Sequence, residues 1–175
     1  MTKIRWGVLG CAKIATEKVI PAMQRGQWSE VTAIASRDPE KARGAAERLG
    51  IPKAYGSYDD LLADADIDAI YNPLPNHLHV PWSVKAAEHN KHVLCEKPVA
   101  LTADEARQLL DVRDRTGVRI QEAFMVRTHP QWLAVKDLVS SGRIGELRSM
   151  LGAFSYMNRD PANIRNRPEF GGGAL

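Results

Sequence analysis

The 175-residue chain predicts an α/β fold, a doubly wound parallel sheet followed by the opening of an α+β unit that is cut short. Three observations carry this expectation. Short apolar runs alternate with stretches of helical periodicity as far as residue 120. The runs are nearly continuous rather than alternating, as in strands buried on both faces. Helix start and stop residues sit at the joints between them.

The apolar runs cover 4–9, 31–35, 67–71, 92–95 and 118–120, and helical stretches cover 13–25, 39–49, 76–90 and 102–116. Strands separated by helices of this length make right-handed βαβ units. Asp38 before Pro39 reads as an N-cap and first helical position. Ser57 with Asp60 forms a variant capping box ahead of a short helix over Leu61 and Leu62, and Thr102 with Glu105 a fuller one. Gly50 and Gly117 stand where helices should stop. Pro21, inside the first helix, predicts a kink or an early end.

Beyond residue 122 the alternation changes. His129-Pro130 opens a further helix over Trp132, Val135 and Leu138, which Ser141-Gly142 closes. Residues 146–154 read as a strand, and 158–173, with two prolines and three consecutive glycines, as an exposed loop. No repeat or low-complexity tract interrupts this order.

Lys plus Arg is 24 and Asp plus Glu 21, a formal charge of +3 with the two signs interspersed, which gives no footprint for nucleic acid. Cys11 and Cys95 make no disulfide framework. No segment approaches the ~18–20 apolar residues of a membrane helix. The N-terminus lacks the apolar stretch of a signal peptide, so a cytoplasmic location without membrane contact is expected.

Chemistry concentrates at three strand ends. Gly10-x-Ala12-x-x-Ala15 follows the first strand and keeps the spacing of a dinucleotide fingerprint, with alanine for two glycines. Gly10 permits the tight turn, Ala12 lets a pyrophosphate approach the backbone, and Ala15 lets the helix pack closely. A plain strand–turn–helix of small residues would read the same way. With the strand pattern, this motif makes the expected sheet Rossmann-like.

Ser36-Arg37 ends the second strand, where an NAD-preferring fold carries an acid on the ribose. Ser36 does not repel a 2′-phosphate, and the Arg37 guanidinium can pair with one, which favours NADP while leaving NAD possible. A solvated surface arginine is the alternative. Asp38 could take the ribose but is better explained as the N-cap. Glu96-Lys97-Pro98 follows the fourth apolar run, 92–95. A lysine there can move a proton at a substrate oxygen, with Glu96 tuning it and Pro98 fixing its direction. A turn with a surface ion pair is the plainer reading of that tripeptide alone.

Together these motifs resemble the N-terminal half of the glucose–fructose oxidoreductase / inositol dehydrogenase (Gfo/Idh/MocA) family. The resemblance lies in Arg5-Trp6-Gly7-Val8-Leu9-Gly10, the stretch 51–61, Pro75-Asn76-His77-Leu78-His79, the stretch 91–98 and Gly171 to Leu175. It looks closest to the branch of dimeric dihydrodiol dehydrogenases and NADP-dependent sugar dehydrogenases.

The resemblance implies a dinucleotide-binding domain over 1–124 and the start of a substrate and dimerisation domain over 125–175. Lys97 becomes the proton-transfer residue, touching cofactor and substrate. Gly10, Ala12 and Ile14 become the phosphate turn, with Cys11 inside it and Ser36, Arg37 and Glu96 as further cofactor contacts. Leu74, Pro75, Asn76 and His79 match the loop along the nicotinamide, and Arg127 an arginine that reaches the cofactor. The implied reaction moves a hydride between NADP and a CH–OH carbon of a sugar, polyol or trans-dihydrodiol, in a homo-oligomer. A non-catalytic NADP-binding sensor of the same fold is the alternative.

In the family the triple glycine leads on to an Asp and a His or Tyr of the active site. Here the sequence ends at Leu175, so a truncated chain of doubtful activity is expected. Arg165 is a candidate substrate contact, with a solvated loop as the alternative. The spacing of His77 and His79 suggests metal, but no Cys or carboxylate cluster completes a site, so none is assigned. Cys11 and Cys95 read as small buried residues at strand ends.

Overall fold

The computed structural model describes residues 2–172, so Gly173, Ala174 and Leu175 of the glycine-rich stretch lie outside the described residues. Six parallel strands form one sheet in the order β3-β2-β1-β4-β5-β6. They are β1 (Ile4–Leu9), β2 (Ser29–Ala35), β3 (Lys53–Tyr55), β4 (Ala69–Asn72), β5 (His92–Cys95) and β6 (Ile120–Glu122). The helices between them are α1 (Ile20–Arg25), α2 (Pro39–Leu49), α3 (Tyr58–Ala63), α4 (His79–Glu88) and α5 (Ala103–Thr116). This order reverses direction between β1 and β4, the switch point at which a doubly wound sheet opens a crevice.

Neighbouring residues on a strand face opposite sides, and both sides are covered. Val8, Ile34 and Tyr71 join Ala15, Ile20, Ala45 and Ala46 in one core. Leu9, Ala35 and Ile70 join Tyr58, Leu61, Leu62 and Ala86 in the other. That double cover explains the unbroken apolar runs. Each buried Val, Leu or Ile of this kind contributes ~1.5–3 kcal/mol.

The local signals produced the elements they announced. The Asp38 carboxylate accepts the N–H groups of Glu40 and Lys41. Ser57 and Thr102 accept those of Asp60 and Glu105. Gly50 and Gly117 close their helices in the left-handed conformation, at φ of 64° and 75°.

Three expectations need correction. Pro21 does not end its helix; a π-helical turn, Ala15–Val19, precedes it, with the Ile20 N–H on the Ala15 carbonyl. Pro21 lacks an N–H and its ring presses on the carbonyl four residues back, so a widened turn relieves both problems. The three residues of β3 carry no apolar run, and they pair as an edge strand beside β2. No strand forms over 146–154. Leu151 is fully exposed and Phe154 90% exposed, and no neighbouring strand among the described residues supplies hydrogen bonds.

Helix α6 (Pro130–Ser140) buries none of its residues. The expected loop after 158 is largely exposed but contains two 3₁₀ turns, Ile164–Asn166 and Pro168–Phe170.

Candidate active site

All six strands are parallel, so the turns that follow them share one rim. Val8 pairs with Tyr71 and Tyr71 with Leu94, which sets Leu9, Asn72 and Cys95 at one level. Strands lie ~4.8 Å apart, so the turn after β1 and the turn after β5 are about 10 Å from each other across β4.

Gly10 takes φ of 81°, and its N–H donates to the Ala35 carbonyl. A Cβ there would lie 3.0 Å from Leu74 Cδ2, so glycine serves both the turn and the close approach of the next loop. The helix then opens at Lys13, and its first N–H groups have no partner within the helix. Ala12 contributes its carbonyl to the Thr16 N–H, and Ile14, 43% exposed, faces solvent. Cys11 is half-buried with its thiol 3.7 Å from the Lys41 carbonyl; burial raises it, against the pull of Lys41 and Arg48.

Ser36 is buried, and its Oγ accepts the Asp38 N–H at 3.2 Å. Arg37 is exposed and borders a cleft of about 410 Å³ with Ser57, Tyr58, Leu78 and Trp82. The Tyr58 and Trp82 rings meet edge to face at 4.9 Å. Burial raises the Tyr58 phenol, and the Arg37 guanidinium opposes that shift. Tyr58, Leu78 and Trp82 were not among the residues expected to matter, because buried or half-buried apolar residues carry no chemical signal in a sequence.

The loop after β4 is shaped by Asn72, which is fully buried. Its amide donates to the His79 carbonyl and to Ser83 Oγ, and its Oδ1 accepts the Leu74 N–H. Leu74 is buried against the Gly10 turn, and Pro75 leads into a 3₁₀ turn, Asn76–Leu78. Asn76 Nδ2 donates to the Gly171 carbonyl at 2.7 Å. The His77 ring stacks on Phe170 at 5.0 Å, and the Arg167 guanidinium lies over the other ring's centre at 4.5 Å. A Cβ on Gly171 would meet Leu101 Cδ2 at 2.5 Å, which shows how tightly the returning segment seats. His79 is 1% exposed, and its ring nitrogens face two backbone carbonyls rather than the rim.

Glu96 is held at both oxygens. The Tyr71 phenol, fully buried, donates to Oε1 at 2.8 Å, and the Lys97 N–H donates to Oε2 at 3.3 Å. Burial first, then the Glu96 carboxylate, raises the Tyr71 phenol and keeps it protonated. Tyr71 escaped the sequence reading because an aromatic inside an apolar run reads as core. The Lys97 side chain is exposed on the rim, and the Lys97–Pro98 bond is cis. The Val99 N–H donates to Glu122 Oε1, tying this turn to the end of β6. Cys95 is fully buried, and burial pushes its thiol up to about 12.

Arg127 closes a 3₁₀ turn, Met125–Arg127, past the same end of β6, and its side chain is exposed. Arg165 is exposed on the returning segment; its backbone N–H donates to Asn163 Oδ1, and its guanidinium has no partner among the described hydrogen bonds and ion pairs. The fold therefore gathers the Gly10 turn, Ser36-Arg37, the 74–79 loop and the Glu96-Lys97 turn on one rim, and leaves Arg127 and Arg165 at its margin.

The model of an oxidoreductase family with an NAD-binding Rossmann fold matches residues 4–124. An oxidoreductase of Rhizobium meliloti is 57% identical over all 175 residues, which are 52% of its length. The D-xylose 1-dehydrogenase (NADP(+)) 2 of Haloferax volcanii is 46% identical over 97% of this chain and 52% of its own. Among solved structures, the 3-ketoreductase KijD10 of Actinomadura kijaniata, in complex with TDP-benzene and NADP, superposes with a TM-score of 0.78. It is 41% identical and covers 83% of this chain and 46% of its own. The chain thus spans about half the length of the curated relatives it matches. With a matched model over most of its length and these identities, the chain belongs to the Gfo/Idh/MocA oxidoreductase family.

Proposed function

We propose that this chain is the cofactor-binding and proton-transfer part of an NADP-dependent oxidoreductase acting on a CH–OH carbon of a sugar, polyol or dihydrodiol. The observation that carries the reading is the placement of the Gly10 turn and Lys97 on one rim, either side of the switch point. A nucleotide lying across that crevice meets both.

The residues fit such a cofactor. Gly10 makes the tight turn at φ of 81°, Ala12 is small where a pyrophosphate would approach, and the helix opening at Lys13 turns its first N–H groups to it. Ser36 is uncharged, and Arg37 borders a cleft whose Leu78 and Trp82 walls suit an adenine face. The 2′-phosphate of NADP would pair with the Arg37 guanidinium. The 74–79 loop and Glu96-Lys97 would flank the nicotinamide, with Cys11, Ala12, Ile14 and Arg127 at the edge of the bound nucleotide.

Bound NADP supplies or accepts the hydride. Lys97 handles the proton: its ammonium donates to the carbonyl oxygen in reduction, and its neutral amine takes the hydroxyl proton in oxidation. Tyr71 and Glu96 hold the turn that carries it. Residues 1–124 form the nucleotide unit, and 125–175 begin the substrate and dimerisation unit, with Arg165 toward substrate. The apolar residues Trp132 and Leu133, about half exposed, suit burial against the remainder of such a unit or a second copy. The D-xylose dehydrogenase and the sugar-nucleotide 3-reductases among the relatives support a sugar-like substrate.

Titration with NADPH and NADH, followed by nicotinamide fluorescence, tests the reading. NADPH should bind at least tenfold more tightly, and Arg37→Ala should remove that preference, a difference of about 1.4 kcal/mol. Equal or absent binding of the two cofactors would refute it.

A further inference from the structure

We infer that the Tyr58 hydroxyl contacts the bound nucleotide, donating to the 2′-phosphate beside Arg37, and that Tyr58 is thereby a second determinant of NADP preference. The inference rests on the cofactor reading proposed above and adds to it a residue that gave no signal in the sequence.

The hydroxyl is set apart by what it lacks inside the protein. The phenols of Tyr55 and Tyr71 donate to the Asp64 and Glu96 carboxylates, each at 2.8 Å. Tyr58 is only 7% exposed, yet among the described residues no acceptor takes its O–H. Buried hydroxyls are nearly always paired. Beside this one stands the Arg37 guanidinium, a group that can only donate. The phenol oxygen can accept from Arg37 and still has its own proton to give. Burial raises the phenol above its usual value, so that proton is present at neutral pH.

The position of the hydroxyl suits a nucleotide. Ser57 caps α3 through the Asp60 N–H, which fixes Tyr58 as the first residue of the helix. The Tyr58 ring is anchored in the core and meets Trp82 edge to face. Its oxygen reaches the glycine turn: a Cβ built on Gly10 would lie 3.5 Å from it. Tyr58 and Arg37 also line one cleft, with Leu78 and Trp82. The hydroxyl therefore stands between the turn that would take the pyrophosphate and the guanidinium that would take the 2′-phosphate. A nucleotide spanning the two places its adenosine ribose there. The acid of the cleft, Asp59, is paired with Lys85 Nζ at 2.9 Å, and that ammonium also lies 4.4 Å from the Trp82 ring centre, so the carboxylate is offset. A ribose hydroxyl could accept the Tyr58 proton too, but a phosphate oxygen takes it about twice as strongly because it is charged.

Tyr58→Phe removes this oxygen and keeps the ring that packs on Trp82. Calorimetric binding of 2′,5′-ADP and of 5′-ADP to the full chain isolates the 2′-phosphate without nicotinamide or turnover. The ratio of the two affinities should fall about tenfold in Tyr58→Phe, through weaker binding of 2′,5′-ADP. A merely structural role would weaken both ligands equally and leave the ratio alone. An unchanged ratio, whether both affinities fall or neither does, would overturn the inference while the wild-type preference for 2′,5′-ADP keeps the cofactor reading intact. A wild type that binds both ligands equally, or neither, would refute that reading and this inference together.

Discussion

Replacing Tyr71 by phenylalanine removes one oxygen from a fully buried side chain and leaves the ring packing intact. The lost contact is a 2.8 Å hydrogen bond to the Glu96 carboxylate. Hydrogen bonds to charged groups contribute about 1.5–3 kcal/mol when the acceptor is left stranded. Glu96 is only half-buried and can recover water at Oε1, so a loss of about 1–2 kcal/mol is expected. For a chain of this size that is ~2–8 °C in Tm. Urea unfolding of the wild type, Tyr71→Phe, Glu96→Gln and the double variant should give a coupling of about 1 kcal/mol between the two sites. Strict additivity would refute the claim that the phenol holds the carboxylate. The pH dependence has a defined sign as well. The folded state raises the Tyr71 phenol, so its contribution is complete below the usual tyrosine value near 10 and declines as pH rises beyond it. Tyr71→Phe should remove that part of the alkaline loss.

Other outcomes follow from single sites. Gly10→Val should lower stability by about 1–3 kcal/mol and abolish the change in nicotinamide fluorescence on NADPH titration, since φ of 81° and the nearness of Leu74 both exclude a branched side chain. Asp64 accepts hydrogen bonds from Lys53 Nζ, the Asp66 N–H and Tyr55 Oη, which together lower its carboxyl to about 2, with Lys53 the largest cause. Its stabilisation is present above pH ~4 and disappears as pH falls through about 2, so Asp64→Asn should cost about 1 kcal/mol at neutral pH and nothing at the acid limit, read by chemical unfolding. Iodoacetamide at pH 8 should label Cys11 slowly and leave Cys95 untouched in the native protein, because Cys95 is fully buried and its thiol stands near 12; mass spectrometry of the digest measures both.

Much of this molecule is readable along the chain because the interactions are short-ranged. Asp38 caps residues two and three positions away, and Ser57 and Thr102 reach three positions. Gly50 and Gly117 end helices by their own backbone freedom. Unbroken apolar runs announce strands covered on both faces, and parallel strands place their following turns on one rim, so the pattern alone groups Gly10, Arg37 and Lys97. What only the tertiary structure decided involves partners far apart in sequence. Tyr71 meets Glu96 across 25 residues, His79 bridges Leu74 and Pro98, and Asn76 grips Gly171 across 95. Apolar pattern says that a residue is buried but not which strand lies beside it. The same limit explains residues 146–154, which have the pattern of a strand yet form none here: a strand exists only when another backbone answers its hydrogen bonds.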